Sequence, residues 1–146
     1  MIALIQRVSR AEVHIEQQRV AAIGTGVLAL IGVRAGDAEA AAERLAQRLL
    51  TYRLFPDAHG RMNLSVREVG AALLVVPQFT LAADTNKGTR AGFSGAEQPE
   101  RARALFDELL DLARTRHSEV ATGEFGAHMK VSLENDGPVT FWLETP

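Results

Sequence analysis

Two unbroken apolar runs constrain the fold of this chain more than any other feature of its sequence. The first is Val-Leu-Ala-Leu-Ile-Gly-Val at residues 27–33, preceded by Gly24 and Gly26, and the second covers residues 71–76. A short run that is apolar at nearly every position and is bounded by glycines is typical of a strand buried on both faces. We therefore predict two buried strands at these positions.

Two other segments have the spacing of amphipathic helices. We expect the carboxylate of Asp37 to cap the first helix, which is predicted to continue through Leu50. Pro99 suits the first turn of the second helix, which is predicted to end near Arg116. The buried stripe of this second helix is predicted to comprise Ala102, Leu105, Phe106, Leu109, Leu112 and Ala113.

The remaining apolar segments alternate with polar residues, which is the pattern of half-exposed strands. Near the C-terminus, such segments lie at residues 129–135 and 139–143, and residues 136–138 are predicted to form a turn that breaks the strand. A chain of 146 residues has the size of one compact domain. We therefore expect a single α+β domain over residues 1–146, with a barrel-like, mostly antiparallel sheet of about six to eight strands and two main helices. The pattern leaves the strand order open.

The composition excludes several kinds of chemistry. The chain has no cysteine, so disulfides, thiol nucleophiles and cysteine-ligated zinc are absent. Its net charge is -2 and its isoelectric point is about 6.1, without the basic excess that broad nucleic-acid binding requires. If the partner is RNA, we expect a small contact, such as one end of the molecule.

Neither targeting nor membrane insertion is indicated by the sequence. The N-terminus lacks the basic start and the long apolar stretch of a signal peptide, and no apolar run is long enough to span a bilayer. We therefore expect a cytoplasmic protein without a membrane partner.

No conventional catalytic or metal-binding motif stands out. The four histidines, His14, His59, His117 and His128, lack the spacing of metal ligands, and we expect no metal site. There is neither a G-x-S-x-G motif nor an evident Ser-His-Asp arrangement. The carboxylates of the predicted helices lie away from the apolar stripes and are interpreted as solvated.

Two polar segments at the ends of apolar strands remain as candidate sites. Gln78, Phe79 and Thr80 follow the second buried run, where binding residues often lie, although by themselves they are more often structural. Residues 135–138, Asn-Asp-Gly-Pro, have the composition of a hairpin turn. The polar stretch at residues 82–98 is long, and loops of that length are usually functional or mobile.

Together, these segments closely resemble the D-aminoacyl-tRNA deacylase family. The similar motifs are M-I-A-L-I-Q-R-V at residues 1–8, Q-F-T-L-A-A-D-T at residues 78–85 and V-S-L-E-N-D-G-P-V-T-F at residues 131–141. The resemblance extends nearly from end to end without a large insertion. It implies a small barrel-like fold and a homodimer with two active sites at the subunit interface.

The resemblance also implies a reaction and a substrate. The family hydrolyses the ester that joins a D-amino acid to the 3′-terminal adenosine of tRNA, and this adenosine and ester would occupy a pocket lined by Gln78, Phe79 and Thr80. Phe125 matches an aromatic residue of that pocket.

A second part of the site is implied to come from the other subunit. Gly137 and Pro138 match a cis motif that reaches into the partner's pocket and rejects L-amino acids, and Arg7 matches the arginine that supports this motif. Such a wall detects an L side chain by collision, so glycyl-tRNA is also expected to be hydrolysed.

The sequence departs from the family pattern at two places. Pro77 stands where the family usually has serine, so a catalytic role of that serine does not carry over. Residues 90–93 are Arg-Ala-Gly-Phe, where the family commonly has Arg-Pro-Ser-Phe.

The expected chemistry is simple because an aminoacyl ester is labile, and we predict that it needs no cofactor. Backbone N–H groups around Phe79 and Thr80 are candidate donors to the developing oxyanion. No base for Thr80 is evident, so we favour attack by water, assisted by the 2′-hydroxyl of the tRNA, with threonine as a nucleophile left open. The rival classes are a non-catalytic module that binds an RNA end or a nucleotide, and a threonine-dependent amidase or peptidase.

Overall fold

The computed structural model describes residues 1–146 and contains eight strands, two α-helices and one short 3₁₀ helix. The elements are β1 (Ile2–Ile15), β2 (Gln18–Ile23), β3 (Gly26–Gly32), α1 (Glu39–Thr51), β4 (Arg53–Pro56), β5 (Met62–Ser65), β6 (Ala72–Pro77), the 3₁₀ helix (Phe79–Ala82), α2 (Pro99–Arg116), β7 (Val120–Thr122) and β8 (Lys130–Glu144). The predicted α+β class and the two main helices are confirmed. Neither α-helix has the length and apolarity needed to cross a membrane.

Six of the strands form the main sheet. Its order is β2-β1-β3-β6-β7. Both β2 and β3 pair with one edge of β1, and β8 pairs with the other edge of β1. β6 pairs in parallel with both β3 and β7, whereas all other pairs are antiparallel. β2 lies against β6 and β7, so the sheet nearly closes into a barrel. The predicted barrel-like sheet is therefore confirmed, and its centre is parallel.

The two central strands are covered on both faces, as their composition predicts. Val27, Ala29 and Ile31 of β3 belong to the core between the sheet and the two helices, whereas Leu28 lies in a separate core inside the barrel. β6 alternates between the same two cores. Each face of these strands therefore needs apolar side chains, which explains the unbroken apolar runs.

The predicted helix cap at Asp37 was wrong. The N-cap of α1 is Ala38, without a side-chain hydrogen bond, and the Asp37 carboxylate instead accepts a 2.7 Å bond from the backbone N–H of Arg34. The same carboxylate lies 2.9 Å from the buried N-terminal ammonium of Met1. Burial lowers the pKa of this ammonium below 8.0, and the hydrogen bond to Asp37 opposes that shift. A buried cation without a counter-ion costs more free energy than a helix end without a cap, which explains why Asp37 pairs with the ammonium.

The predicted turn near the C-terminus was also wrong, because β8 is one continuous strand of 15 residues. Asn135 pairs with Val8 and Thr140 pairs with Gln6, so residues 136–139 leave the register and form a bulge, here called the 136–139 bulge. A bulge accommodates extra residues on one strand without ending the ladder, and pairing with β1 resumes beyond it.

Replacing Asp37 tests the buried ion pair. In Asp37→Asn the Met1 ammonium loses its counter-ion, and we expect the free energy of unfolding to fall by about 3 kcal/mol or more. Because the folded ammonium has a pKa below 8.0 in the wild type and a still lower one in the variant, the loss should be largest at mildly acidic pH, where the ammonium is charged, and should disappear as pH rises to 8.0. Urea unfolding at about pH 6 and about pH 9 measures both effects.

Glu39→Gln is the matched control, because Glu39 also lies at the start of α1 but forms an exposed ion pair with Arg101. We expect this replacement to lower the free energy of unfolding far less than Asp37→Asn does. Equal effects of the two variants, or an Asp37→Asn effect independent of pH, would contradict this account.

Candidate active site

The candidate residues after β6 lie where two parallel strands end together. The backbone N–H of Gln78 donates a 2.7 Å hydrogen bond to Ile31 O of β3, and the 3₁₀ helix begins at the next residue. A Cβ at Gly32 would lie 2.9 Å from the Cβ of Leu81, so glycine is needed for this helix to pack against β3. The packing therefore holds the Gln78–Thr80 backbone at one end of the sheet.

A cavity of about 440 Å³ opens beside this backbone. Gln78, Phe79 and Phe125 all contribute to its wall. Phe125 is held from behind by the Phe106 ring, with centroids 6.1 Å apart, and by Arg103, which donates a 3.1 Å hydrogen bond to Phe125 O. The structure thus places three of the predicted pocket residues around one space.

No general base is hydrogen-bonded to Thr80. Its exposed hydroxyl accepts a hydrogen bond from Nε2 of Gln78 and makes no hydrogen bond to a carboxylate or an imidazole. A threonine hydroxyl is a weak nucleophile without such a base. This geometry favours a positioning role for the side chain.

The backbone near Thr80 has N–H groups that are free to donate hydrogen bonds. Phe79 and Thr80 open the 3₁₀ helix, and the first N–H groups of a helix have no acceptor within it. The side chain of Gln78 makes no capping bond to them. The main chain therefore presents two donors beside the hydroxyl of Thr80.

Several residues of the cavity wall were not singled out from the sequence. His128 and Met129 come from the segment before β8, and Glu97 comes from the segment before α2. None of them belongs to a recognisable motif, so only the fold shows that they border the cavity. Pro77, the departure from the family pattern, also lies in this wall.

Arg7 lies at a different place, beside the 136–139 bulge. Its Nε donates a 2.9 Å hydrogen bond to Asp136 O, and Nη1 donates a 2.7 Å bond to Leu54 O. The side chain is mostly buried, and the Asp136 carboxylate lies 3.8 Å from Nε. Arg7 therefore ties the start of the bulge to β1 and to β4.

Asn135 closes the bulge from the inside. Its Oδ1 accepts a 2.7 Å hydrogen bond from Val139 N, and its Nδ2 donates a 3.2 Å bond to Val139 O. The exposed tip between them is Gly137-Pro138, and the peptide bond joining these two residues is cis. The tip is thus held by bonds at both of its ends.

The two candidate segments do not meet within one chain. Arg7 is level with Val27 and hence with Leu73, near the start of β6, whereas Gln78 follows the end of β6. Three strand spacings also separate β8 from β6. At about 3.3 Å per residue and about 4.8 Å per strand, Gly137-Pro138 lies on the order of 20 Å from Gln78.

The fold brings together no cluster of metal-ligating side chains. No group of three or more His, Cys, Asp or Glu side chains comes together in a way that could hold a metal ion. That the reaction needs no metal or other cofactor stays a prediction.

The chain is similar to a family of known enzymes over almost its whole length. A family model described as D-Tyr-tRNA(Tyr) deacylase matches residues 4–144. A D-aminoacyl-tRNA deacylase from Thioalkalivibrio sulfidiphilus is 64% identical over 146 residues, which cover 100% of this chain and 98% of that protein. A D-aminoacyl-tRNA deacylase from Methylococcus capsulatus is 57% identical, with 100% and 95% coverage.

Solved structures show the same fold. A structure described as c-Myc DNA Unwinding Element Binding Protein superposes with a TM-score of 0.96 at 35% identity, covering 100% of this chain and 99% of that one. A probable eukaryotic D-amino acid tRNA deacylase superposes with a TM-score of 0.84 at 18% identity, with 99% and 98% coverage, and supports the fold alone.

Proposed function

The chain belongs to the D-aminoacyl-tRNA deacylase family, and we propose that it hydrolyses D-aminoacyl-tRNA to free tRNA and a D-amino acid while it spares L-aminoacyl-tRNA. The observation that carries this proposal is the full-length family match, joined to a cavity whose wall includes Gln78, Phe79 and Phe125. Removal of D-amino acids from tRNA is a proofreading step of translation, so we also propose that the protein acts in the cytoplasm.

In the proposed mechanism the main chain supplies the groups that stabilise the oxyanion. Water attacks the ester carbonyl carbon, and the N–H groups of Phe79 and Thr80 donate to the oxyanion that develops. The bond from this carbon to the 3′-oxygen then breaks, and that oxygen takes up a proton, with the neighbouring 2′-hydroxyl assisting proton transfer. One oxyanion donor is worth about 2.7–4 kcal/mol, so two donors supply a large share of the catalysis without an acid–base pair.

The proposed chiral selection is steric. The Gly137-Pro138 backbone would occupy the position of an L side chain, whereas a D side chain would point away from it. Since these residues lie on the order of 20 Å from Gln78 in one chain, the wall would have to come from a second copy. Arg7 and Asn135 support this role because they hold the bulge through its backbone.

The outer edge of β8 supports a homodimer. This strand of 15 residues pairs with β1 on one side only, and its exposed apolar side chains include Leu133 and Trp142. A long unpaired edge is a template for association with another chain. We propose that two copies associate so that the bulge of each enters the cavity of the other.

A binding protein without catalytic activity is the alternative function. The relative described as a DNA unwinding element binding protein is 35% identical to this chain, and the site has no acid–base pair. Hydrolysis measurements separate the two functions directly.

The first prediction concerns substrate chirality. With a chelator present, we expect purified protein to hydrolyse D-aminoacyl-tRNA and glycyl-tRNA and to spare the matching L-ester, because a steric wall cannot detect glycine. Release of radiolabelled amino acid measures all three rates. Binding of tRNA without hydrolysis would favour the alternative, and loss of activity with the chelator would contradict cofactor-free chemistry.

The second prediction separates the two roles of Thr80. Because no base contacts its hydroxyl, we expect Thr80→Ala to retain kcat within about tenfold of wild type, or about 1.4 kcal/mol in barrier. Thr80→Ser is the control that keeps a hydroxyl. A loss of several orders of magnitude in the alanine variant alone, with an unchanged circular dichroism spectrum, would show instead that threonine is the nucleophile.

The third prediction tests the shared site with two defective variants. Phe79→Pro deletes one proposed donor at the first helical position, where proline is tolerated, and should lower kcat about 100- to 1,000-fold. Phe79→Leu keeps that N–H as the control. In Gly137→Ala the new Cβ would lie 2.5 Å from Val139 N, so the bulge must shift and L-rejection should fail.

Mixing Phe79→Pro with Gly137→Ala under subunit exchange should restore one complete site in each mixed dimer. Hydrolysis of the L-ester should fall to about half of its value before exchange, since half of the Gly137→Ala pockets then receive an intact bulge from a Phe79→Pro chain. Mass spectrometry of the intact dimers checks that exchange occurred. Unchanged L-ester hydrolysis after proven exchange would mean that each chain builds its site alone.

A further inference from the structure

The segment from Ala83 to Gln98, here called the 83–98 loop, is fastened to the end of the sheet beside the cavity. Asp84 and Gly92 exchange two backbone hydrogen bonds of 2.7 and 2.9 Å. Farther along, Glu97 N donates a 3.1 Å bond to Val33 O, just beyond β3. The loop therefore has a defined course, and the residues between Asp84 and Gly92 form its projecting tip.

An aromatic platform lies where this loop meets the cavity. Phe93 follows the Asp84–Gly92 pair directly, and its ring centroid is 5.2 Å from that of Phe79, with the rings tilted by 44°. Phe79 is 61% exposed and Phe93 is 44% exposed, although Phe79 also contributes to the cavity wall. Two aromatic rings left this open, at the rim of a site, are typical of surfaces that stack nucleic-acid bases.

The tip of the same loop carries two free cations. Lys87 and Arg90 are both exposed and neither forms an ion pair. Between Asp84 and Gly92 the only carboxylate is that of Asp84, which accepts hydrogen bonds from Asn86 instead. The loop tip is thus locally positive on a chain whose net charge is -2.

We propose that the 83–98 loop binds the unpaired nucleotides that precede the terminal adenosine of the substrate tRNA. Phe93, supported by Phe79, stacks a base, and Lys87 and Arg90 contact the phosphates. Proteins usually bind single-stranded nucleic acid by stacking its bases on aromatic rings, while nearby cations neutralise its phosphates. This inference rests on the proposed function and explains how a slightly acidic protein holds an RNA end through a small contact.

Comparison of two substrates tests the loop separately from the reaction. The first substrate is D-aminoacyl-tRNA, and the second is the same D-amino acid esterified to adenosine alone, which lacks the preceding nucleotides. Phe93→Ala should lower kcat/KM for the tRNA ester about 5- to 150-fold, the range that loss of one base stack produces, and should leave the adenosine ester unaffected. An equal loss on both substrates, or no loss on either, would overturn the proposal.

The two cations have their own measurement. In the double variant Lys87→Ala/Arg90→Ala, the slope of log(kcat/KM) against log[salt] for the tRNA ester should become shallower by about 1.4, or about 0.7 for each phosphate contact. The control is Arg44→Ala/Arg114→Ala, which removes one exposed, unpaired cation from each of the two helices. An equal change in slope in the control would mean that overall charge is responsible and that the loop is not a binding site.

A binding measurement keeps the test independent of hydrolysis. The probe is a fluorescent RNA hairpin ending in the unpaired trinucleotide C-C-A, compared with the same hairpin lacking that overhang. Wild-type protein should bind the overhang more tightly, and Phe93→Ala should abolish the difference. If hydrolysis fails but this preference remains, the proposed function is wrong and the loop site stands. If hydrolysis succeeds and no preference exists, the loop site is wrong.

Discussion

The close parallel packing of β3 against β6 is the constraint on which the rest of the structure depends. Polarity cannot set the register of two strands that are apolar on both faces, so steric fit has to do so. A Cβ at Gly26 would lie 2.0 Å from the carbonyl oxygen of Ala72, and only glycine permits this approach. The resulting register ends with Ile31 opposite Pro77, which places Gln78 and the 3₁₀ helix at the mouth of the cavity.

The proposed reliance of the site on its main chain has consequences for the sequence. The proposed donors of Phe79 and Thr80 belong to the backbone, so their positions depend on the packing of the 3₁₀ helix rather than on a set of acid–base side chains. The 136–139 bulge follows the same logic, because Arg7 and Asn135 hold its carbonyl and N–H groups. Side-chain motifs therefore reveal little of the chemistry of such a site, and the family resemblance was needed to identify it.

The success and failure of the sequence predictions follow from the range of the interactions involved. The bounds of α2, Pro99–Arg116, were predicted from a proline and an apolar stripe, which are local signals. Asp37 was misassigned because its partner, the Met1 ammonium, is distant in sequence. The turn expected at residues 136–138 became a bulge because pairing with β1 continues beyond it, although the local composition is that of a turn. Met129 and His128 gave no signal because their position beside the cavity comes only from the fold.

The sequence by itself determined the two buried strands, the two helices, the lack of cysteine chemistry and the family to which the chain belongs. These follow from periodicity, composition and ordered motifs, which are properties of short segments. Only the tertiary structure decided that Gln78, Phe79 and Phe125 share one cavity, that Phe93 lies against Phe79, and that the 136–139 bulge lies far from all of them in the same chain. The physical reason is a difference in range. Apolar periodicity is a local property, and it determines which side of a strand is buried. The distance between remote segments is set by strand order, register and barrel closure, and no local pattern contains these.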